Sequence, residues 1–116
     1  QMAIISQQQI SKLSQYFSII HHTKGRIRLA ISPKIMQLQQ EFKTLNISLD
    51  KAKEFVKNID GIKEFKFIAL LGTVTIIYDS DIFNVRIIED FINAQNLEHV
   101  TEFINTLIDK FNIAGG

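Results

Sequence analysis

The 116-residue chain has no cysteine and no tryptophan, one proline and five glycines. The lack of cysteine excludes disulfide scaffolds, zinc–thiolate sites, iron–sulfur ligation and thiol catalysis together. The scarcity of proline and glycine excludes a linker or a low-complexity chain. Long apolar runs are also missing. The longest strongly apolar, uncharged stretch, Phe67 to Tyr78, is 12 residues and contains Gly72 and two threonines. A helix that crosses a bilayer needs about 20 apolar residues, so no direct membrane insertion is expected. Residues 1–9 lack the basic and apolar segments of a signal peptide, which makes cytoplasmic the expected location.

Catalytic signatures are absent too. There is no glycine-rich phosphate loop, no nucleophile elbow and no His-Glu-x-x-His. The adjacent carboxylates Glu89 and Asp90 diverge at consecutive helical positions. The expectation is a protein that is not an enzyme. A formal net charge of +1 gives no global case for nucleic acid. Phe65 and Phe67 share one face of a strand, but the basic–aromatic pattern of RNA-binding sheets is missing.

What is present is a 46% hydrophobic chain with strongly segregated charge. Residues 1–43 carry six basic groups against Glu41 alone, and residues 79–116 carry two against seven acidic groups. Opposed halves of this kind attract one another within one fold or mark head-to-tail self-association. The length fits one domain that buries about two thirds of its unfolded surface.

Ile10, Leu13 and Phe17 predict an amphipathic helix over residues 2–17. An alternating stretch follows, with Phe17, Ile19, His21, Ile27, Leu29 and Ile31 on one parity and Lys24, Arg26 and Arg28 on the other. It reads as one half-buried strand with Gly25 as a bulge or bend. Ser32-Pro33 opens a short helix over 34–42. Ser48 is the N-cap candidate of the next helix, which Asp60-Gly61 ends. Residues 62–78 read as a hairpin turning at Leu71-Gly72-Thr73. Asp79-Ser80-Asp81 is expected to cap a helix over 83–95. A final helix over 98–112 carries a wide stripe that includes Val100, Phe103, Ile104, Leu107, Ile108 and Phe111. The expected fold is α+β: a ferredoxin-like βαββα core with N- and C-terminal helical extensions. Its antiparallel sheet has three strands, or four if the 17–24 segment supplies an extra edge. The domain boundaries are 1–116 for the whole, 19–96 for the core, 2–17 for the first helix and 97–113 for the last.

Two segments go beyond periodicity. His21-His22-Thr23-Lys24-Gly25-Arg26-Ile27-Arg28-Leu29 resembles the opening of a divergent, cysteine-free bacterial branch of the heavy-metal-associated (HMA-like) ferredoxin-fold family. Gly61-Ile62-Lys63, followed by Leu71-Gly72-Thr73-Val74 and Tyr78-Asp79, resembles the second landmark of that branch. Gly25, Gly61 and Gly72 are its structural turns. The resemblance implies small cytoplasmic domains, some of them fused to or encoded near membrane metal transporters, with no settled activity. The Cys-x-x-Cys loop of the metal-binding members is missing, and the corresponding segment Ser32 to Leu49 has Met36 as its only sulfur. A thiolate transfer mechanism is therefore excluded.

The remaining metal candidates are nitrogen and oxygen ligands. Neighbouring strand residues point to opposite faces, so His21 and His22 do not chelate one ion without a bulge. In the ferredoxin-like order the first and third strands are antiparallel, which brings His21 towards Tyr78 and Asp79. His21, with His22 and Tyr78, is the candidate ligand set for haem or a transition metal. The same histidine at a strand start also suits a purely structural, backbone-bonded role. Lys24, Arg26 and Arg28 form a basic ladder, with the two arginines about 7 Å apart on one face. The ladder is solvated, salt-bridged to the acidic half, or an anion-binding grip on a propionate, a phosphate or an acidic partner. His99 is expected to be exposed and inert. The competing expectation is a ligand-free adaptor that docks a protein partner, or forms a homodimer, through its sheet edge or terminal helix.

Overall fold

The apolar alternation on either side of Gly25 folds into two strands, not one. The structure, a computed structural model, describes residues 5–40 and 49–115. Strands β1 (Phe17–Thr23) and β2 (Arg26–Ile31) form an antiparallel hairpin around Lys24-Gly25. Gly25 takes φ +87°, a region where only glycine is free of a steric cost. The irregularity expected at Gly25 lies instead at Ile20. Ile19 pairs with Leu29 and His21 with Arg28, so Ile20 is the extra residue of a β-bulge.

Strands β3 (Ile62–Ile68) and β4 (Thr73–Tyr78) form the second hairpin, with Gly72 at φ +62° in its turn. The two hairpins join along β2 and β4, which gives one four-stranded antiparallel sheet in the order β1-β2-β4-β3. In a split βαβ fold the seat beside the first core strand belongs to a C-terminal strand. Here β1, which precedes β2, occupies that seat, and the last described element is a helix. The fold is an α+β, ferredoxin-like arrangement with helices at both termini.

Helix α1 (Gln7–Ser14) starts at a capping box. Ser6 Oγ accepts from the Gln9 amide at 3.1 Å, and Gln9 Oε1 accepts from the Ser6 amide at 2.8 Å. Such a cap is worth about 1 kcal/mol. After β2, Ser32 caps the expected short helix, which is 3-10 over Pro33–Leu38 and passes into α-helix at residues 39–40. Residues 41 and 42 of that expected helix, and the Ser48 cap, lie outside the described residues. Helix α2 (Leu49–Lys57) precedes β3, α3 (Arg86–Ile92) follows β4, and α4 is Leu97–Gly115. Helix α3 starts later than Asp79-Ser80-Asp81 would place it. Asp79 Oδ1 instead accepts from the Asp81 amide within the loop, and Asn84 Oδ1 accepts from the Arg86 amide.

The buried sheet face carries Ile27, Leu29, Val74, Ile76 and Tyr78. Ile59, Ile88, Ile92 and Phe103 from the helical side pack against it. Ile27 is fully buried, which contributes about 1.5–3 kcal/mol for its side chain alone. A second cluster joins Ile5 and Ile10 to Val100, with Phe91, Ile104 and Ile108 around them. Ile87 belongs to both clusters, so α3 is wedged between the sheet and the α1–α4 layer. The stripe of α4 therefore divides: Phe103 reaches the sheet cluster, and Ile104 and Ile108 reach α1. The radius of gyration, 13.5 Å, matches the roughly 13 Å expected of one domain of this size.

Candidate functional site

The bulge at Ile20 decides which histidine enters the fold. Beyond it, His22 pairs with Ile27 on the buried face, and His21 pairs with Arg28 on the opposite face. The expectation that His21 approaches Tyr78 is thus corrected by one residue. His22 makes the contact, with Nε2 2.9 Å from Tyr78 Oη. His21 is exposed. Tyr78 is 4% exposed at the end of β4, and its ring meets Phe83 edge-on at 5.7 Å. Glu89 of α3 places Oε2 3.9 Å from His22 Nδ1. That separation is too long for a hydrogen bond, but it keeps a negative charge on the far side of the imidazole.

His22 and Tyr78 line an open cavity of about 550 Å³ at this end of the sheet, together with Lys24, Ser80, Asp81 and Val85. Its volume lies in the range of small-molecule sites. The expected basic ladder is split by the fold. Lys24, in the β1–β2 turn, borders the cavity. Arg26 and Arg28 alternate with the buried Ile27 and Leu29 and so face the other side of the sheet. Asp79 is engaged in its own loop. His99 is exposed on α4 and borders a second cavity of about 420 Å³, beside Arg86, Asp90 and Lys110. Asp90 is buried, accepts from Asn96 Nδ2 at 3.2 Å and has Arg86 Nε at 4.0 Å. The divergence of Glu89 and Asp90 is as expected: one faces His22 and the other turns inward.

Sequence reasoning missed Glu89 and Phe83 as neighbours of this site. Their only signal was helical spacing after β4, which says nothing about the strand they oppose. A test of fit for a metal is geometric. His22 Nε2 and Tyr78 Oη lie 2.9 Å apart, a hydrogen-bond distance; two ligand atoms about 2.0–2.1 Å from a tetrahedral ion lie roughly 3.3 Å apart, so an ion held by both would replace this hydrogen bond. Among the described residues, no three His, Cys, Asp or Glu side chains come together to hold an ion. Among the described residues, His22 and Tyr78 are the pair that could reach an ion at this place. No helix among the described residues is long and apolar enough to cross a membrane. Comparison of the chain with family models, with curated proteins and with solved structures finds no match.

Proposed function

We propose that the domain is a non-enzymatic binding module that takes a transition metal or haem at the end of its sheet, in trafficking or sensing. The observation that carries this reading is the 2.9 Å pair of His22 Nε2 and Tyr78 Oη on the wall of a cavity of about 550 Å³. His22 is the nitrogen ligand. Glu89 steadies the imidazole from its Nδ1 side, as a carboxylate does behind many metal-bound histidines. Tyr78 supplies an oxygen ligand or a hydrogen bond to a bound group. Phe83 and Val85 give the apolar wall, and Lys24 suits an anionic substituent such as a propionate. The HMA-like resemblance supports a membrane metal transporter as the partner.

The test uses the two histidines against each other. Purified protein is titrated with Fe(III), Cu(II), Zn(II) and haem, and followed by visible absorption and calorimetry. The reading expects His22→Ala to lose binding and His21→Ala to keep it. Binding no tighter than that of a histidine-containing peptide, or equal loss in both variants, overturns it. A second reading, an adaptor that docks a protein partner, is favoured by the β3–β4 turn. Leu70 is 95% exposed there and Leu71 61%. Pull-downs with Leu70→Lys/Leu71→Lys as the control separate it from the first.

A further inference from the structure

The sheet face turned away from the buried cluster carries a line of basic side chains with no ion-pair partner among the described residues. The pairing register sets His21, Arg28, Thr75 and Lys66 side by side across all four strands. Arg26 lies in the next row, and Glu64 is the one carboxylate that the described strands place on this face. Among the described residues, no carboxylate comes within 4.0 Å of His21, Arg26, Arg28 or Lys66. At about 4.8 Å between strands, His21 to Arg28 is one step of about 4.8 Å and Arg28 to Lys66 two steps, about 9.6 Å.

The chain carries a matching set of anions. Glu98, Glu102 and Asp109 are all exposed on α4. At 3.6 residues per turn they fall within about 40° of one another. The stripe that packs on α1 and the sheet cluster, including Val100, Phe103, Ile104 and Ile108, is centred on the opposite side of the helix. The acidic stripe thus points away from its own molecule, so its own sheet face is out of its reach. With 1.5 Å rise per residue, Glu98 to Glu102 is about 6 Å and Glu102 to Asp109 about 10.5 Å. These unequal steps match the unequal steps of the basic row in one direction only: Glu98 over the His21 imidazole, Glu102 over Arg28 and Asp109 over Lys66.

We infer that the basic sheet face docks the acidic stripe of α4 from a second copy of this chain. The contact is heterologous, so each molecule uses a different surface on each side and assembly runs head to tail. Its strength is electrostatic. Charges are felt over about 30 Å at 0.01 M ionic strength and about 8 Å at 0.15 M, so association weakens roughly tenfold or more across that range.

Sedimentation velocity at these two ionic strengths is the direct experiment. Wild type should show concentration-dependent association at low salt that fades at high salt. The charge reversals R28E/K66E and E102K/D109K should each be monomeric with unchanged far-UV circular dichroism. Mixed in equal amounts, they should associate again and without stopping at the dimer, because the reversed sheet face of one is complementary to the reversed stripe of the other, as its unchanged stripe is to the other's unchanged sheet face. Carbodiimide coupling of isotope-labelled with unlabelled wild type should link Lys66 of one copy to Asp109 of another. A wild type that stays monomeric at low salt, variants that still associate, or a mixture that stays monomeric overturns the inference, as does the absence of the intermolecular link.

Discussion

Gly61 links α2 to β3 at φ +90°, and a Cβ added there would meet Phe83 Cβ at 2.8 Å, Phe83 N at 2.9 Å and Ile82 Cγ2 at 3.0 Å. Two of these are closer than real Cβ atoms come to their neighbours, and one is backbone, so Gly61→Ala must displace the 82–83 segment. The left-handed conformation alone costs an alanine about 1–2 kcal/mol. Forcing a packed neighbour aside costs about 1–3 kcal/mol more. The expected loss is about 2–5 kcal/mol, a large part of the ~5–15 kcal/mol that holds a domain of this size. Gly25 supplies the control. Its φ is +87°, and a Cβ there would meet only Tyr78 O, at an ordinary 3.4 Å. Gly25→Ala should therefore cost the conformational term alone, about 1–2 kcal/mol. Urea unfolding followed by far-UV circular dichroism gives both values, provided the slope with denaturant is unchanged. The chain has no tryptophan and two tyrosines, so a near-ultraviolet change specific to Gly61→Ala would report the Phe83 shift through Tyr78. Equal losses for the two alanines would refute the assignment of the extra cost to Phe83.

Two further outcomes test the helical layer. Asn105 Oδ1 accepts from the Ile5 amide at 2.9 Å and its Nδ2 donates to the Ile5 carbonyl at 3.0 Å. Asn105→Ala should cost about 2 kcal/mol and raise amide exchange through α1; unchanged exchange in α1 would count against this clamp. Thr101 Oγ1 is buried with no hydrogen-bond partner among the described residues. Thr101→Val should raise stability by about 1 kcal/mol, seen as a melting temperature higher by roughly 4 °C, and a fall would show that the hydroxyl is satisfied.

The helices and the second hairpin were largely legible, because apolar spacing and glycine positions mark them directly. The first strand was not, and the reason is a cancellation. A two-residue turn at Lys24-Gly25 reverses which parity faces the core, so His22 pairs with Ile27. The bulge at Ile20 reverses it again, so Ile19 pairs with Leu29. From Phe17 to Ile31 the odd-numbered apolar residues therefore keep an unbroken rhythm that imitates one strand. The residues between the two reversals run out of phase, and His21 and His22 are among them. That is why Tyr78 was foreseen as the partner of a histidine and the wrong histidine was chosen. Glu89 was beyond reach for a different cause: only the packing of α3 against β1 sets it opposite His22. The division of Arg26 and Arg28 from Lys24 was hidden by the same turn, which ends the strand where the alternation does not.

The seat taken by β1 also bears on how the chain folds. Its pairs with β2 join residues 3 to 14 apart in sequence, and the β3–β4 pairs join residues 5 to 16 apart. Such hairpins close in about 1–10 μs. Within the sheet only the β2–β4 seam is distant, with partners 43 to 51 residues apart. A C-terminal edge strand would have added a second distant seam to be closed against chain entropy. With the edge supplied from the N-terminal side, each half of the sheet forms from local chain, and one docking event along Ile27, Leu29, Val74 and Ile76 completes it. The same line is where the sheet has the fewest local contacts to hold it once the helical layer loosens.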